Sequence, residues 1–484
     1  MEVSVMERKG SLLTGVLAFA AMIVTVMQTQ AVPILGLIAT KLHVSTASVS
    51  WVTTATLLAA AVCTPLLGRI GDLYGKKPTL LGVLVVAVIG SVVSALANSL
   101  GVLLVGRALQ GVATAIFPLA LAVLREEIPA ARLHHAMAIV SGTLGFGGGI
   151  GLVTTGLLTK GSDPNYHTVF WFTAGLSVLA LVAAAVAVPA TGKRHPGSMD
   201  LPGAVTLGGF LVLLLLPISQ GHEWGWTSGK TLGCFVGAIV FMVLWVIVER
   251  RVPAPLVDLK MFTYRPVLFT NLAGMFIGFA MFLLFMGVSY LAQMPSRLTG
   301  YGFSASILRA SVEYLLPATI SSMVAAPIGG ILVGRLGGRW VLALAGAVGT
   351  VGFGWLALEH DATGAVIASG AVVGVAISLA YAAMPALIAA SVPHHQSGIA
   401  NGINSISRTV GSSLGSAIIT TLLTAKVIPR LPVSLPEEGQ FAVAFWVGAA
   451  ACAATILAAL VGLPKLTKAD SVEAEEKEAV PAAV

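Results

Sequence analysis

The stretch "GRIGDLYGKK", residues 68–77, and its partial echo "GILVGRLGGR", residues 330–339, decide how this chain is read. Each lies between two apolar runs long enough to cross a bilayer. The first joins the second and third such runs, and the other joins the tenth and eleventh, the equivalent place in a second half. Glycines permit a tight turn between closely packed helices. The basic pair Lys76 and Lys77 holds such a loop on the cytoplasmic side. Asp72 is an acid able to dock on a helix N-terminus or an arginine, whereas the second copy has Gly334 in its place. Weak internal repetition of this kind is a mark of transporter folds.

Composition agrees. The chain has 484 residues, 57% hydrophobic and 10% charged, with a mean hydropathy of +0.94. Soluble domains carry about 25% charged residues, so this is a polytopic membrane protein. An all-α architecture follows, because helices satisfy their own backbone groups in hydrocarbon. Cys63, Cys234 and Cys452 lie far apart in apolar runs and show neither a disulfide framework nor metal-ligand spacing.

Fourteen spans are expected, at 12–35, 48–68, 79–98, 101–124, 136–159, 168–189, 202–220, 230–249, 267–292, 306–333, 339–358, 364–390, 403–424 and 440–463. With the N-terminus inside, cytoplasmic segments hold 18 of the 27 Lys and Arg, and external segments hold six. That bias obeys the positive-inside rule and places both termini in the cytoplasm. Polar interruptions at 191–200 and 249–266 divide the chain. The expected organisation is a six-helix bundle (1–190), a two-helix insert with its linkers (191–265), a second six-helix bundle (266–463) and a disordered acidic tail (464–484).

The loop at 68–77 resembles G-x-L-x-D-R-x-G-R-K of the major facilitator superfamily, specifically its 14-spanner drug:proton antiporter subfamily. Gly68, Ile70, Asp72, Gly75, Lys76 and Lys77 carry the match. The resemblance extends to about residue 463 and implies that this cluster latches the two bundles in one conformation. L-x-x-x-R-x-x-Q-G appears as Leu103, Arg107, Gln110 and Gly111. The resemblance implies a part for Arg107 in proton coupling. The residues alone equally fit an arginine bonded to backbone carbonyls. A glycine pattern associated with antiporters survives as Gly147, Gly151 and Gly156, with Leu152 in place of its proline. Small residues there let another backbone approach.

The subfamily's first-span aspartate is replaced by "VMQTQAVP", so Gln28 and Gln30 are the candidates for contact with substrate or Arg107. Asn271 and Tyr290 are candidate cavity-lining groups. Arg408 lies near the cytoplasmic boundary, where a long side chain can snorkel. His134–His135 and His394–His395 read as solvated loop residues. No phosphate-binding loop is present, and the longest polar loops are too short for a catalytic domain. The resemblance therefore implies a non-enzymatic secondary transporter without a cofactor or bound metal, in the cytoplasmic membrane. Its partners are a small molecule, protons and lipid, not nucleic acid. Export of amphipathic drugs or metabolites in exchange for protons is the leading reading. A facilitator or importing symporter, and a non-transporting sensor, are the alternatives.

Coupling to a gradient needs an ionisable group in an alternately accessible cavity. By these spans 19 of the 20 Asp and Glu fall in loops, tails or helix ends, and Glu313 is the exception. Arg309 precedes it by four residues and so lies one turn away on the same face. Glu313 is thus either a proton carrier or one member of a static ion pair with Arg309.

Overall fold

The computed structural model describes residues 2–161, 163–189, 200–252, 255, 259, 264–392, 397–428 and 435–463. The tail after 463, the linker at 190–199, His394 and His395 lie outside the described residues, as do the side chains of Asp72, His134 and His135. The described residues form helices, with a single isolated bridge between Val427 and Pro436.

The first half comprises α1 (Glu2–Thr29), α2 (Leu35–Leu42), α3 (Thr46–Tyr74), α4 (Lys76–Ala95), α5 (Leu100–Val112), α6 (Ile116–Glu127), α7 (Ala130–Leu158) and α8 (Tyr166–Ala187). A 3-10 turn at Val32–Ile34 containing Pro33 joins α1 to α2, and another at Ala113–Ala115 joins α5 to α6. Each pair therefore runs on as one bent rod. Next come α9 (Leu201–Trp224) and α10 (Gly229–Arg251), which pack on each other. The second half comprises α11 (Arg265–Gln293), α12 (Ser296–Thr299), α13 (Ile307–Arg309), α14 (Leu316–Leu336), α15 (Gly338–Leu358), α16 (Thr363–Ala389), α17 (Ser397–Ala425) and α18 (Glu438–Gly462). Several starts are capped as their sequences suggest. Ser45, Asn165, Asp200 and Ser228 each accept from a backbone N–H two or three residues on, which satisfies a donor the helix cannot.

Twelve helices among the described residues are long and apolar enough to cross a membrane. Fourteen were expected. The two that fall short are α7, whose apolar stretch among the described residues is Phe146–Leu158, and α17. The latter is diluted by Asn401, Asn404, Ser405, Ser407, Arg408 and Thr409. Both are nevertheless 29-residue helices packed inside the bundle, where polar groups can meet protein instead of lipid.

The internal repeat is visible in the packing. In the first half α1 packs on α7 and α8, α4 on α5 and α8, and α3 on α5. In the second half α11 packs on α17 and α18, α15 on α16 and α18, and α14 on α16, the same pattern. The halves then meet reciprocally, through α3 on α17 and α14 on α7. The insert lies to one side, with α9 against both α3 and α17.

The two echoing stretches have one structural job. Gly75 closes α3 and opens α4 with φ 105° and ψ 144°, and Gly337 closes α14 and opens α15 with φ 82° and ψ 151°. A side chain is strained in that region by about 1–3 kcal/mol. One glycine thus reverses the chain with no intervening loop.

Gly75→Ala is expected to lower thermal stability in detergent, whereas Gly82→Ala, in the interior of α4 with nothing within 4 Å of an added methyl, should raise it slightly by helix propensity, by about 0.5–1 kcal/mol. Melting curves of the two variants, followed by intrinsic fluorescence, give the comparison.

Candidate functional site

Two ends of the bundle can be told apart. Gly10 lies beside Ile128, Lys77 Nζ donates to the Ala185 carbonyl at 3.0 Å, and Arg339 donates to the Leu460 carbonyl at 2.7 Å, all at the end where the chain begins and ends. At the far end Tyr166 donates to the Ala97 carbonyl at 2.6 Å, and the turn at Val32–Ile34 meets the end of α11.

At the far end a seam joins the halves. Gln293 Nε2 donates to the Pro33 carbonyl at 3.1 Å, and Ser289 Oγ donates to that of Val32 at 3.5 Å. Thr53 and Ser416 share a hydroxyl–hydroxyl bond of 2.8 Å between α3 and α17. On the other side α7 lies flush against α14 through its glycines. A methyl on Gly149 would sit 3.2 Å from Leu316 Cδ1, and one on Gly156 2.7 Å from Leu308 Cα. Gly147 and Gly151 serve α1 instead: a methyl on Gly147 would approach the Met22 carbonyl oxygen to 2.5 Å, and one on Gly151 that of Val26 to 3.1 Å. All three glycines of the packing motif are therefore at close helix contacts, two within the first half and one across the seam.

Arg107 is 1% exposed. Its Nε donates to the Val52 carbonyl at 2.9 Å, while Nη1 donates to the Met27 carbonyl at 2.9 Å and to Gln110 Oε1 at 2.6 Å. Gln110 Nε2 in turn donates to Ser91 Oγ at 2.9 Å. The Phe170 ring lies 6.0 Å from the guanidinium. Arg107 thereby ties α5 to α1 and α3, and Gln110 extends the network to α4. Of the two readings the sequence leaves open, these contacts are those of the carbonyl-bonded arginine. Its partners do not include Gln28 or Gln30. Gln30 is buried and accepts from the Thr173 hydroxyl, leaving its Nε2 without a partner. Gln28 is half-buried.

In the loop at 68–77, Lys76 is 8% exposed and paired with Glu126 of α6, and Lys77 reaches α8. These partners belong to the first half.

Glu313 lies in a π-helical turn, Ala310–Leu315, between α13 and α14. Its carboxylate accepts both Arg309 Nε at 2.5 Å and Arg309 Nη2 at 3.2 Å. The two side chains are 33% and 48% exposed, respectively. Glu313 is not the only carboxylate within a helix of the apolar core. Glu249 in α10 is 4% exposed and accepts from Trp245 Nε1 at 2.9 Å. The sequence reading puts Glu249 at a helix end, because the helix there runs into Arg250 and Arg251.

The second half holds a polar chain that sequence reading scatters. Arg408 Nη1 donates to Asn404 Oδ1 at 2.6 Å, and Asn404 Nδ2 donates to Asn271 Oδ1 and the Thr270 carbonyl, both at 3.2 Å. The guanidinium lies 5.0 Å over the Tyr381 ring. Arg408 is therefore turned into the bundle, not snorkelling to its edge. The spacing of Asn404 and Arg408 by four residues was the available signal. Tyr290, toward the far end of α11, is buried with its hydroxyl unpartnered.

Two helix bundles of matching pattern, joined by a seam of small residues and hydroxyls, define a membrane transporter. The chain belongs to the Major Facilitator Superfamily, whose model matches residues 17–322 and 315–483. It is 31% identical over 414 residues to the tetracenomycin C resistance and export protein of Streptomyces glaucescens, covering 82% of this chain and 74% of that protein. It is 25% identical over 404 residues to the multidrug transporter protein MdtP of Bacillus subtilis, covering 81% and 72%. Among solved structures, the nucleoside transporter NupG is similar in fold, with a TM-score of 0.62 at 13% identity over 94% of this chain and 98% of that one.

Arg107→Lys keeps the charge but loses the fork that reaches two carbonyls at once. Each bond to a charged group is worth about 1.5–3 kcal/mol, so the variant is expected to melt several degrees below wild type in detergent, with Arg107→Ala lower still.

Proposed function

We propose that this chain exports amphipathic drugs or metabolites by alternating access, in exchange for protons, through a 14-span fold with both termini cytoplasmic. The observation that carries it is the similarity over 82% of the chain to a protein named for antibiotic resistance and export, joined to a seam that closes one end of the bundle only by small contacts. The organisation follows the repeat: bundles at 1–190 and 266–463 with the insert 191–265 beside them. Lys77 and Arg339, two of the Lys and Arg expected on the cytoplasmic side, lie at the end where α1 begins and α18 ends. The seam then lies on the outer side, and the conformation is closed to the outside.

Proton coupling is assigned to the π-turn. Leu308 and Leu316 flank Glu313 and Arg309 and pack on Gly156 and Gly149 of α7, so the ion pair sits beside the seam. Protonating Glu313 removes the charge that holds Arg309, frees the turn to rewind, and loosens the contact of α14 with α7. π-turns inside helices recur at functional sites. The bidentate geometry and partial exposure favour a second reading, a fixed pair that only offsets the cost of two charges. In that case Glu249, a buried carboxylate in α10, is the alternative carrier.

Proteoliposomes with an imposed pH gradient, loaded with a tetracenomycin-type aromatic polyketide, separate these readings. Glu313→Gln is expected to reduce gradient-driven flux at least tenfold while leaving downhill exchange measurable. Wild-type flux in Glu313→Gln together with loss in Glu249→Gln would move the coupling to α10.

A further inference from the structure

The polar chain in α11, α16 and α17 has a direction. A guanidinium only donates, so Asn404 must turn its Oδ1 to Arg408. Its Nδ2 then faces Asn271 and the Thr270 carbonyl, and Asn271 must accept through Oδ1. The chain ends in Asn271 Nδ2, a donor in a residue 4% exposed, with no acceptor. Nothing in the chain is an acid. Among the described residues Arg408 has no carboxylate within ion-pair distance. The residue is half-buried, and its guanidinium lies against the Tyr381 ring, whose hydroxyl contacts Met281 Sδ at 3.4 Å.

Arg107 is the useful contrast. It too is a cation without a carboxylate, yet it is 1% exposed and closed on two carbonyls and an amide. Arg408 keeps open surface and ends in an unsatisfied donor. A cation inside a membrane helix is costly unless it faces protein, water or a counter-charge, and a buried donor without an acceptor costs about 1–3 kcal/mol. A ligand that brings an anionic acceptor offsets both. An aromatic ring and a thioether beside the charge suit the apolar body of an amphiphile.

We propose that Arg408, Asn404, Asn271 and Tyr381 form a binding site for an organic anion, an amphipathic molecule carrying a carboxylate or ionised phenol. This names the substrate class of the exporter proposed above and rests on that reading for its direction of transport. The binding itself does not depend on it. The anionic group meets the guanidinium and the apolar body lies along Tyr381 and Met281. Gly274 lets Asn404 and Arg408 pack directly on α11: a methyl there would approach Asn404 Nδ2 to 2.8 Å and Arg408 Cγ to 3.3 Å.

Fluorescein and rhodamine 6G share a xanthene body and differ in charge, anionic and cationic at pH 7.5. Their equilibrium binding to the purified full chain in detergent, read by anisotropy, is the test. Wild type is expected to bind fluorescein at least tenfold more tightly than rhodamine 6G. In Arg408→Gln that ratio should fall at least tenfold, and in Arg408→Lys it should take an intermediate value. A merely structural arginine would weaken both dyes together and leave the ratio unmoved, which overturns the proposal. So does a wild-type preference for rhodamine 6G, a result that needs no variant to fold. Export is read separately, as fluorescein accumulation in inside-out vesicles. Charge-selective binding that depends on Arg408 without accumulation refutes the exporter reading and leaves the anion site standing.

Discussion

Helices in a bilayer gain little by hiding apolar side chains from one another, because lipid is equally apolar. They stay together where backbones come close enough for dispersion and polar contacts to add up. That constraint organises this protein. The α1–α7 contact and its repeat, α11–α17, are both made at glycines: Gly147 and Gly151 in one, Gly278, Gly411 and Gly415 in the other. Even the methyl of an alanine at Gly415 would come within 2.5 Å of the Phe279 carbonyl oxygen. The same economy governs the seam between halves and the loopless reversals at Gly75 and Gly337.

On this symmetric frame the polar groups are distributed unequally. The first half uses its buried arginine as a fastener, closed on carbonyls from two other helices. The second half keeps its arginine partly open, backed by two asparagines and an aromatic ring. The halves are thus alike in packing and different in chemistry.

Much of this was legible in the sequence. Long apolar runs and segregated charge gave the helical membrane class, and the repeated loop gave the two halves. At Gly147, Gly151 and Gly156, where small residues invite a close helix approach, an added methyl would come within 3 Å of a neighbouring helix. Other features were hidden for physical reasons. Arg107 was visible as an expensive residue, but its acceptors are backbone carbonyls of Met27 and Val52, which no sequence pattern marks. The pairing of Glu313 with Arg309 followed from spacing. Their partial exposure did not, because it depends on how far the π-turn rotates that face from its neighbours. Glu249 stands at a helix end in the sequence and in the structure, but its burial beside Trp245 depends on tertiary packing that no sequence pattern marks. The lysines of the 68–77 loop showed the right chemistry at the right place, yet their partners, Glu126 and Ala185, became identifiable only when α6 and α8 were folded alongside.

The seam also sets an energy scale. Among the described residues its polar stitches are the hydroxyl contacts of Thr53 and Thr54 with Ser416 and two side-chain-to-carbonyl bonds, beside the packing of α7 on α14 and of α3 on α17. A net contribution of about 0.5–1.5 kcal/mol per hydrogen bond makes the polar part of the closure a matter of a few kcal/mol. A ligand or proton can shift a two-state equilibrium only by its differential affinity for the states, and a shift from 1:99 to 99:1 needs about 5.5 kcal/mol. A gate this lightly fastened lies within reach of a single bound charge. A seam built from a broad hydrophobic interlock would demand more than one small molecule can supply.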